Sequence, residues 1–266
     1  IATHLMGDDQ LMNEYRQHAF WRLAMYTHGF QGRDRKFLMQ GVDGSSNMCD
    51  GYASQNLPLM PSEQLPFYLH WYDRHAGLLS SMPDNTRFDG ERAGTTWAMI
   101  FYPAEVTPVD PAASLPPSVA DSRGFHYFRN RWLDHDDIQV GIHADVSHHS
   151  GWDQPEAGAI LLMAFDKLLI GGPNKGTDPH QYNLLLVDGK APGAKSTGTL
   201  MGVHPATDGG EVEIGGGTQY SGLGLSSFRR QVATRWAGDG ESVIITSLDR
   251  FEATASHVYS FNLNLA

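Results

Sequence analysis

One cysteine, Cys49, stands in a chain of 266 residues. An internal disulfide is therefore excluded, and so is any zinc motif built on several cysteines. Basic residues are scarce: 19 Lys+Arg against 30 Asp+Glu leave a formal net charge of −11. Phosphate contacts need a basic surface, so this balance argues against a nucleic-acid partner and leaves room only for a small basic cleft. Long apolar runs are missing too. The longest, Ala157 to Phe165, is far too short to span a bilayer as a helix. At Ile1 there is no initiator Met, no charged n-region and no signal h-region. The last residues, Ser260 to Ala266, read as a strand stopping within a sheet, so the chain is expected to be a fragment or processed product. What is present suffices for a core: 41% of residues are hydrophobic and 11% aromatic, which excludes a disordered chain.

Residues 1–105 read mostly as helix. Leu11 to Tyr26 places Leu11, Tyr15, Ala19, Leu23 and Tyr26 at helical spacing, and Gln64 to Leu79 does the same with Leu65, Tyr68, Leu69, Tyr72 and Ala76. A short third helix is expected around Thr95 to Phe101, with Pro103 as its stop. Residues 106–124 form a stiff Pro-rich connector, where a domain boundary is expected. From 125 to 266 the pattern turns to short strands. They are expected at Phe125–Trp132, Ile138–Ala144, Ala159–Phe165, Lys167–Ile170, Leu184–Val187, Thr199–Val203, Glu211–Ile214, Phe228–Trp236, Ser242–Leu248 and His257–Leu265. Turns such as Asp188-Gly189, Asp208-Gly209-Gly210 and Gly238-Asp239-Gly240 separate them, which indicates an antiparallel sandwich.

Several stretches share a resemblance. Trp97-Ala98-Met99-Ile100-Phe101-Tyr102 leads to Pro108-Val109-Asp110-Pro111. His148-His149-Ser150-Gly151-Trp152-Asp153-Gln154-Pro155-Glu156-Ala157-Gly158-Ala159 precedes the apolar strand Ile160–Phe165. Asn183-Leu184-Leu185-Leu186-Val187-Asp188-Gly189-Lys190 follows, and later come Val243 to Glu252 and His257-Val258-Tyr259. Together, over residues 60–266, these resemble the C-terminal half of the heparinase II/III-like polysaccharide lyases. The resemblance implies an α+β class: an incomplete helical (α/α)-toroid remnant over 1–105, then an incomplete antiparallel β-sandwich over 125–266. It also implies β-elimination at a uronic acid, with a Tyr or His taking the C5 proton and a Tyr or His donating to the leaving oxygen.

The departures from that family are specific. Its His-x-His-x-Asp-x-Gly run, aligned on Gly158, meets Trp152, Gln154 and Glu156 here. The nearest histidines are His148 and His149, in a polar loop entering a buried strand, where a pKa near neutrality suits acid–base work. His149, nearer the motif, is the expected proton carrier, with His148 as its neighbour. A pair of solvated loop histidines is the bland alternative. Positions that hold zinc in the family fall on Gln154, on Gly171 or Gly172, and on Tyr182, so no zinc at that position and no cofactor is expected. The family's toroid Tyr has no counterpart in this chain.

Candidate substrate contacts follow from residue chemistry. Trp152 can stack on a sugar ring or close the sandwich end. Gln154 offers a donor and an acceptor. His180 and Tyr182 precede a strand, Tyr182 more in the manner of a packed aromatic. Arg129 and Arg131 share a strand face that could meet an anionic sugar or be simply solvated. The functional expectation is a secreted or periplasmic lyase acting on an acidic, weakly sulfated polysaccharide, without nucleic acid or membrane span. The alternative is a non-catalytic carbohydrate-binding or scaffold protein. A glycoside hydrolase would need two facing carboxylates, and no convincing pair is visible.

Overall fold

The computed structural model describes residues 56–76, 99–110, 118–120, 124–131, 136–144, 146, 157–165, 167–171, 180, 182–193, 197–216, 218–263 and 265. These fall into two compact units, one within 56–110 and one within 118–265.

In the first unit, a 3-10 turn at Leu57–Leu59 leads to helix α1 (Leu65–Ala76). Pro66 stands in the first turn of α1, where a missing N–H costs nothing. The Pro61 carbonyl accepts from the N–H groups of Gln64 and Leu65 and so starts the helix. Tyr68, Leu69 and Tyr72 recur on one face and are fully buried. The Val109 N–H returns to the Pro66 carbonyl at 3.0 Å.

The second unit is antiparallel β. Strands β1 (Ser118–Ala120), β2 (Phe125–Arg129), β3 (Gln139–His143), β4 (Ala159–Ala164) and β5 (Lys167–Ile170) form a five-stranded sheet in sequence order. After β6 (Leu185–Val187), strands β7 (Thr199–Ala206), β8 (Gly209–Gly215), β9 (Leu225–Trp236) and β10 (Val243–Ala253) form a meander ordered β10-β9-β8-β7. β11 (Tyr259–Phe261) pairs with β6, and a bridge joins Leu265 to Ile170. Alternation turns Phe128, Val140 and Ile142 of the first sheet, and Val212, Ile214 and Val232 of the second, into one shared core. Gly210 lies so close to Phe128 that an added Cβ would sit 2.3 Å from the ring. A second core gathers Leu185, Val187, Tyr220, Leu225 and Phe228. There the Tyr220 hydroxyl donates to the Leu185 carbonyl at 3.1 Å. Burial pushes its pKa up to about 12.

The α+β expectation of a helical toroid remnant is corrected. Antiparallel strand dominates the described residues, at 46% against 14% helix, and the helices are short. Of the third expected helix, Thr95 to Phe101, residues 99–101 are described and are helical, with Met99 84% and Ile100 61% exposed. Expected helix Leu11–Tyr26 lies outside the described residues. The Pro-rich connector, read as an extended link, contributes β1, which pairs with β2.

Candidate functional site

The segment with the expected proton carriers is the connection from β3 to β4, residues 144–158. His148, His149, Trp152 and Gln154 lie outside the described residues. Both ends of the connection are firmly held. Register opposes His143 to Ala159, and the Gly158 N–H donates to the His143 carbonyl at 2.8 Å. On the other side, the Ala144 N–H reaches the Gly124 carbonyl at 2.7 Å. Gln219 then acts as a substitute strand: its Oε1 accepts from the Ala157 N–H at 3.0 Å and its Nε2 donates to the Ala157 carbonyl at 3.2 Å. Gly198 packs against the same neck, where a Cβ would sit 2.2 Å from the Ala144 carbonyl oxygen.

Arg230, fully buried on the inner face of β9, locks the outgoing end. Its Nη1 donates to the carbonyls of Gly158 and Asn183, both at 2.9 Å. Its guanidinium also lies 5.0 Å from the centre of the Phe261 ring. Asn183 completes the tie, its Nδ2 donating to the Ile160 carbonyl at 2.8 Å and to the Gly171 carbonyl at 3.2 Å. So Gly171, one of the positions the resemblance sets against zinc, meets Asn183 through an amide hydrogen bond.

The remaining candidates divide. Tyr182 is buried with Ala159 and Leu184, as a packed aromatic. His180 is exposed, two residues away, and its Nε2 lies 3.1 Å from the Gly189 carbonyl. A carbonyl only accepts, so Nε2 is the protonated nitrogen in that contact. Arg129 and Arg131 do share an environment, but it is Asp137. Arg131 Nε donates to Asp137 Oδ1 at 3.1 Å, and Arg129 Nη1 lies 3.6 Å from Oδ2. Arg129 is 2% exposed, whereas Arg131 keeps a third of its side chain in solvent.

Residue reasoning missed a second polar centre, at the Asp188-Gly189 turn. Positive φ at both residues, 50° and 72°, makes this a tight hairpin turn. Asp188 Oδ1 accepts from the Val258 N–H at 2.8 Å, and Oδ2 lies 2.7 Å from His257 Nδ1. The His257 hydrogen bond, then the Val258 N–H, hold the Asp188 carboxyl below its ordinary pKa. Thus His180 and His257 engage one turn, through its carbonyl and its carboxylate. Among the described residues, no cluster of three or more His, Cys, Asp or Glu is placed to hold a metal ion.

No family model matches the chain, and no curated protein matches it. Among solved structures, a heparinase III with methylated lysines is a distant likeness, with a TM-score of 0.47 at 15% identity. The match covers 82% of this chain and 39% of that one, so this chain spans well under half of its length. No described helix is long and apolar enough to cross a membrane.

Proposed function

We propose that this chain acts on a uronic-acid-containing polysaccharide and cleaves it by β-elimination outside the cytoplasm. The observation that carries the reading is the segment His148–Gly158, whose residues resemble the lyase motif and whose outgoing end, Ala157–Gly158, is held by Gln219 and Arg230. A held end favours chemistry, because a proton carrier must keep its place relative to the sugar within fractions of an ångström. In this reading His149 takes the proton from C5 and His148 is its neighbour. The electron pair of the C5–H bond forms the C4–C5 double bond as the C4–O bond breaks. The leaving oxygen takes up a proton, and donors stabilise the charge that develops on the uronate. Trp152 and Gln154 contact the sugar, and His180 and Arg131 are the further contacts whose side chains reach solvent. No metal or other cofactor is assigned to the reaction.

The test is to mix the purified chain with a panel of uronate polymers and follow ultraviolet absorbance. Unsaturated products absorb, so absorbance rises if the reading is right; a flat trace with every polymer overturns it. A second reading is favoured by one observation: Trp152 and Gln154 stand where the family has its two histidines. In that reading the chain is a carbohydrate-binding or scaffold protein, which binds the same polymers and leaves them intact.

A further inference from the structure

The sheet β10-β9-β8-β7 ends at β10 in an open edge. Residues of β9 alternate in which neighbour they bond. The Trp236 N–H donates to the Asp208 carbonyl, on the β8 side, at 2.8 Å, and the Ala237 N–H donates to the Ser242 carbonyl, on the β10 side, at 2.9 Å. Carried along the antiparallel register, that phase makes Ile244, Thr246, Leu248 and Arg250 of β10 the hydrogen-bonded partners of Arg235, Ala233, Gln231 and Arg229 of β9. Val243, Ile245, Ser247, Asp249 and Phe251 therefore direct their N–H and C=O groups away from β9. Among the described residues, none of these backbone groups has a partner.

The two edges of this sheet are built differently. β7 carries Pro205, which has no N–H, and a register shift between Leu200 and Gly202 breaks its line. Both features keep a strand from pairing further. β10 has no proline, glycine or lysine, and its register with β9 runs without a shift from Val243 to Glu252. An inward charge also guards an edge. The inward charge of β10, Asp249, is already paired with Arg230 of its own chain. On the outer face of β10, Ile244 and Leu248 are 67% and 44% exposed.

We propose that β10 pairs antiparallel with β10 of a second copy of this chain, joining the two sheets about a two-fold axis. The hydrogen-bond phase requires odd-numbered residues to face odd-numbered ones, so the axis passes through a residue. At Asp249 or Arg250 it would oppose identical charges, which repel. At Leu248 the whole strand overlaps its copy. Ser247 then meets Asp249 and Ile245 meets Phe251, with two hydrogen bonds in each pair, and Leu248 meets Leu248 where side chains come closest. No like charges are opposed. Glu252 comes to stand opposite the second copy's Ile244, whose partner on the far side is Arg235. Glu252 and that Arg235 are two strands, about 10 Å, apart at Cα, on the same face and within joint reach of their side chains. Arg235 is held only loosely in its own chain, 4.0 Å from Asp208. These matches belong to this strand set against itself, which commits the edge to a second copy. The proposal goes beyond the elimination reading and rests on β10 alone.

Sedimentation velocity of the whole chain over a concentration series tests it. The parent passes from monomer to dimer and stops there, since β7 gives this sheet no second edge to extend. Ser247→Pro removes from each copy an edge N–H that β9 does not use, and weakens dimerisation by on the order of ten- to a hundredfold. Leu248→Lys sits on the exposed face, opposes two cations at the axis and weakens it likewise, so the test stands even where the proline disturbs the fold. Leu248→Cys, made together with Cys49→Ser, cross-links into dimers on oxidation, because a non-hydrogen-bonded pair brings the two Cβ atoms near disulfide distance. Ile244→Cys in the same background does not, since its own copy lies far along the strand. A parent that stays monomeric overturns the proposal and leaves the edge to a strand of another protein. Dimers undiminished by Leu248→Lys, assembly beyond two copies, or Ile244→Cys cross-linking as readily as Leu248→Cys would each overturn it as well.

Discussion

Asp249 receives Arg230 through two parallel hydrogen bonds, Nε to Oδ1 at 2.7 Å and Nη2 to Oδ2 at 2.6 Å. The guanidinium is fully buried and the carboxylate 16% exposed, so the two partners are not equivalent. Arg230→Ala leaves two carbonyls and a carboxylate unsatisfied and opens a cavity under Phe228 and Phe261. A loss of about 3–5 kcal/mol in urea unfolding is expected. Asp249→Asn keeps an acceptor for one fork nitrogen and leaves the other end near water, so its cost is smaller. Equal losses from the two variants would show that the pair, and not the carbonyl ties of Arg230, holds the neck.

Gly158 and Gly189 give a matched comparison. Both have positive φ, 90° and 72°. A Cβ at Gly158 would lie 2.9 Å from Arg230 Cδ, on a side chain held by four hydrogen bonds, while a Cβ at Gly189 meets nothing within 4 Å. Gly189→Ala therefore costs only left-handed backbone strain, about 1–2 kcal/mol. Gly158→Ala adds overpacking of roughly 1–3 kcal/mol. Thermal melts of the two variants check the order, and a Gly158→Ala melt at or above that of Gly189→Ala contradicts it.

Two carboxylates tilt the acid limb of stability in opposite directions. The Asp188 pKa is lowered, chiefly by His257, so its contribution is complete above the unfolded carboxylate value of about 3.9 and is lost as pH falls through the folded value. Asp188→Asn should be less stable than the parent near neutrality, and the gap should close on acidification. Asp73, buried in α1, has its pKa raised by desolvation, opposed in part by the Tyr102 hydroxyl donating to both its oxygens at 2.9 and 2.8 Å. Its ionised form is the costlier one in the fold, so its contribution improves as pH falls. Asp73→Asn should gain on the parent as pH rises through the carboxylate range. Denaturant midpoints at several pH values report both, and parallel shifts in one direction would contradict the assignment.

Legibility in the sequence followed the source of order. β4 and β5 were readable because an apolar run and a charged pair bracket them, and β9 because its alternation is long. β1 was not: Ser118–Ala120 lies among prolines and is a strand only through its pairing with β2. Met99 and Ile100 are helical as their spacing predicts, yet exposed, since spacing cannot tell whether a partner covers a stripe. Arg229 and Arg230 illustrate the limit for function. Adjacent residues take opposite faces, but which one is buried depends on Asp249 standing opposite Arg230, a register invisible without the sheet. His180 and Tyr182, likewise two residues apart, differ completely in exposure.

The chemical prediction concerns His149. A lost general acid or base costs on the order of 10²–10⁴ in rate. His149→Ala should therefore remove most of kcat on a uronate polymer while leaving binding largely intact, and His148→Ala should do less. Trp152→Ala should raise KM more than it lowers kcat, because stacking holds ground state and transition state alike. Gln219→Ala touches no substrate in this reading, yet it frees the Ala157 end of the same segment. It should lower kcat with a modest loss of stability, and Gln219→Glu, which keeps an acceptor for the Ala157 N–H, should recover part of the rate. Steady-state kinetics on these variants, with melts alongside, separate a positioning effect from unfolding. Full kcat in His149→Ala would move the base elsewhere, and full kcat in Gln219→Ala would show that the pinned neck does not serve the chemistry.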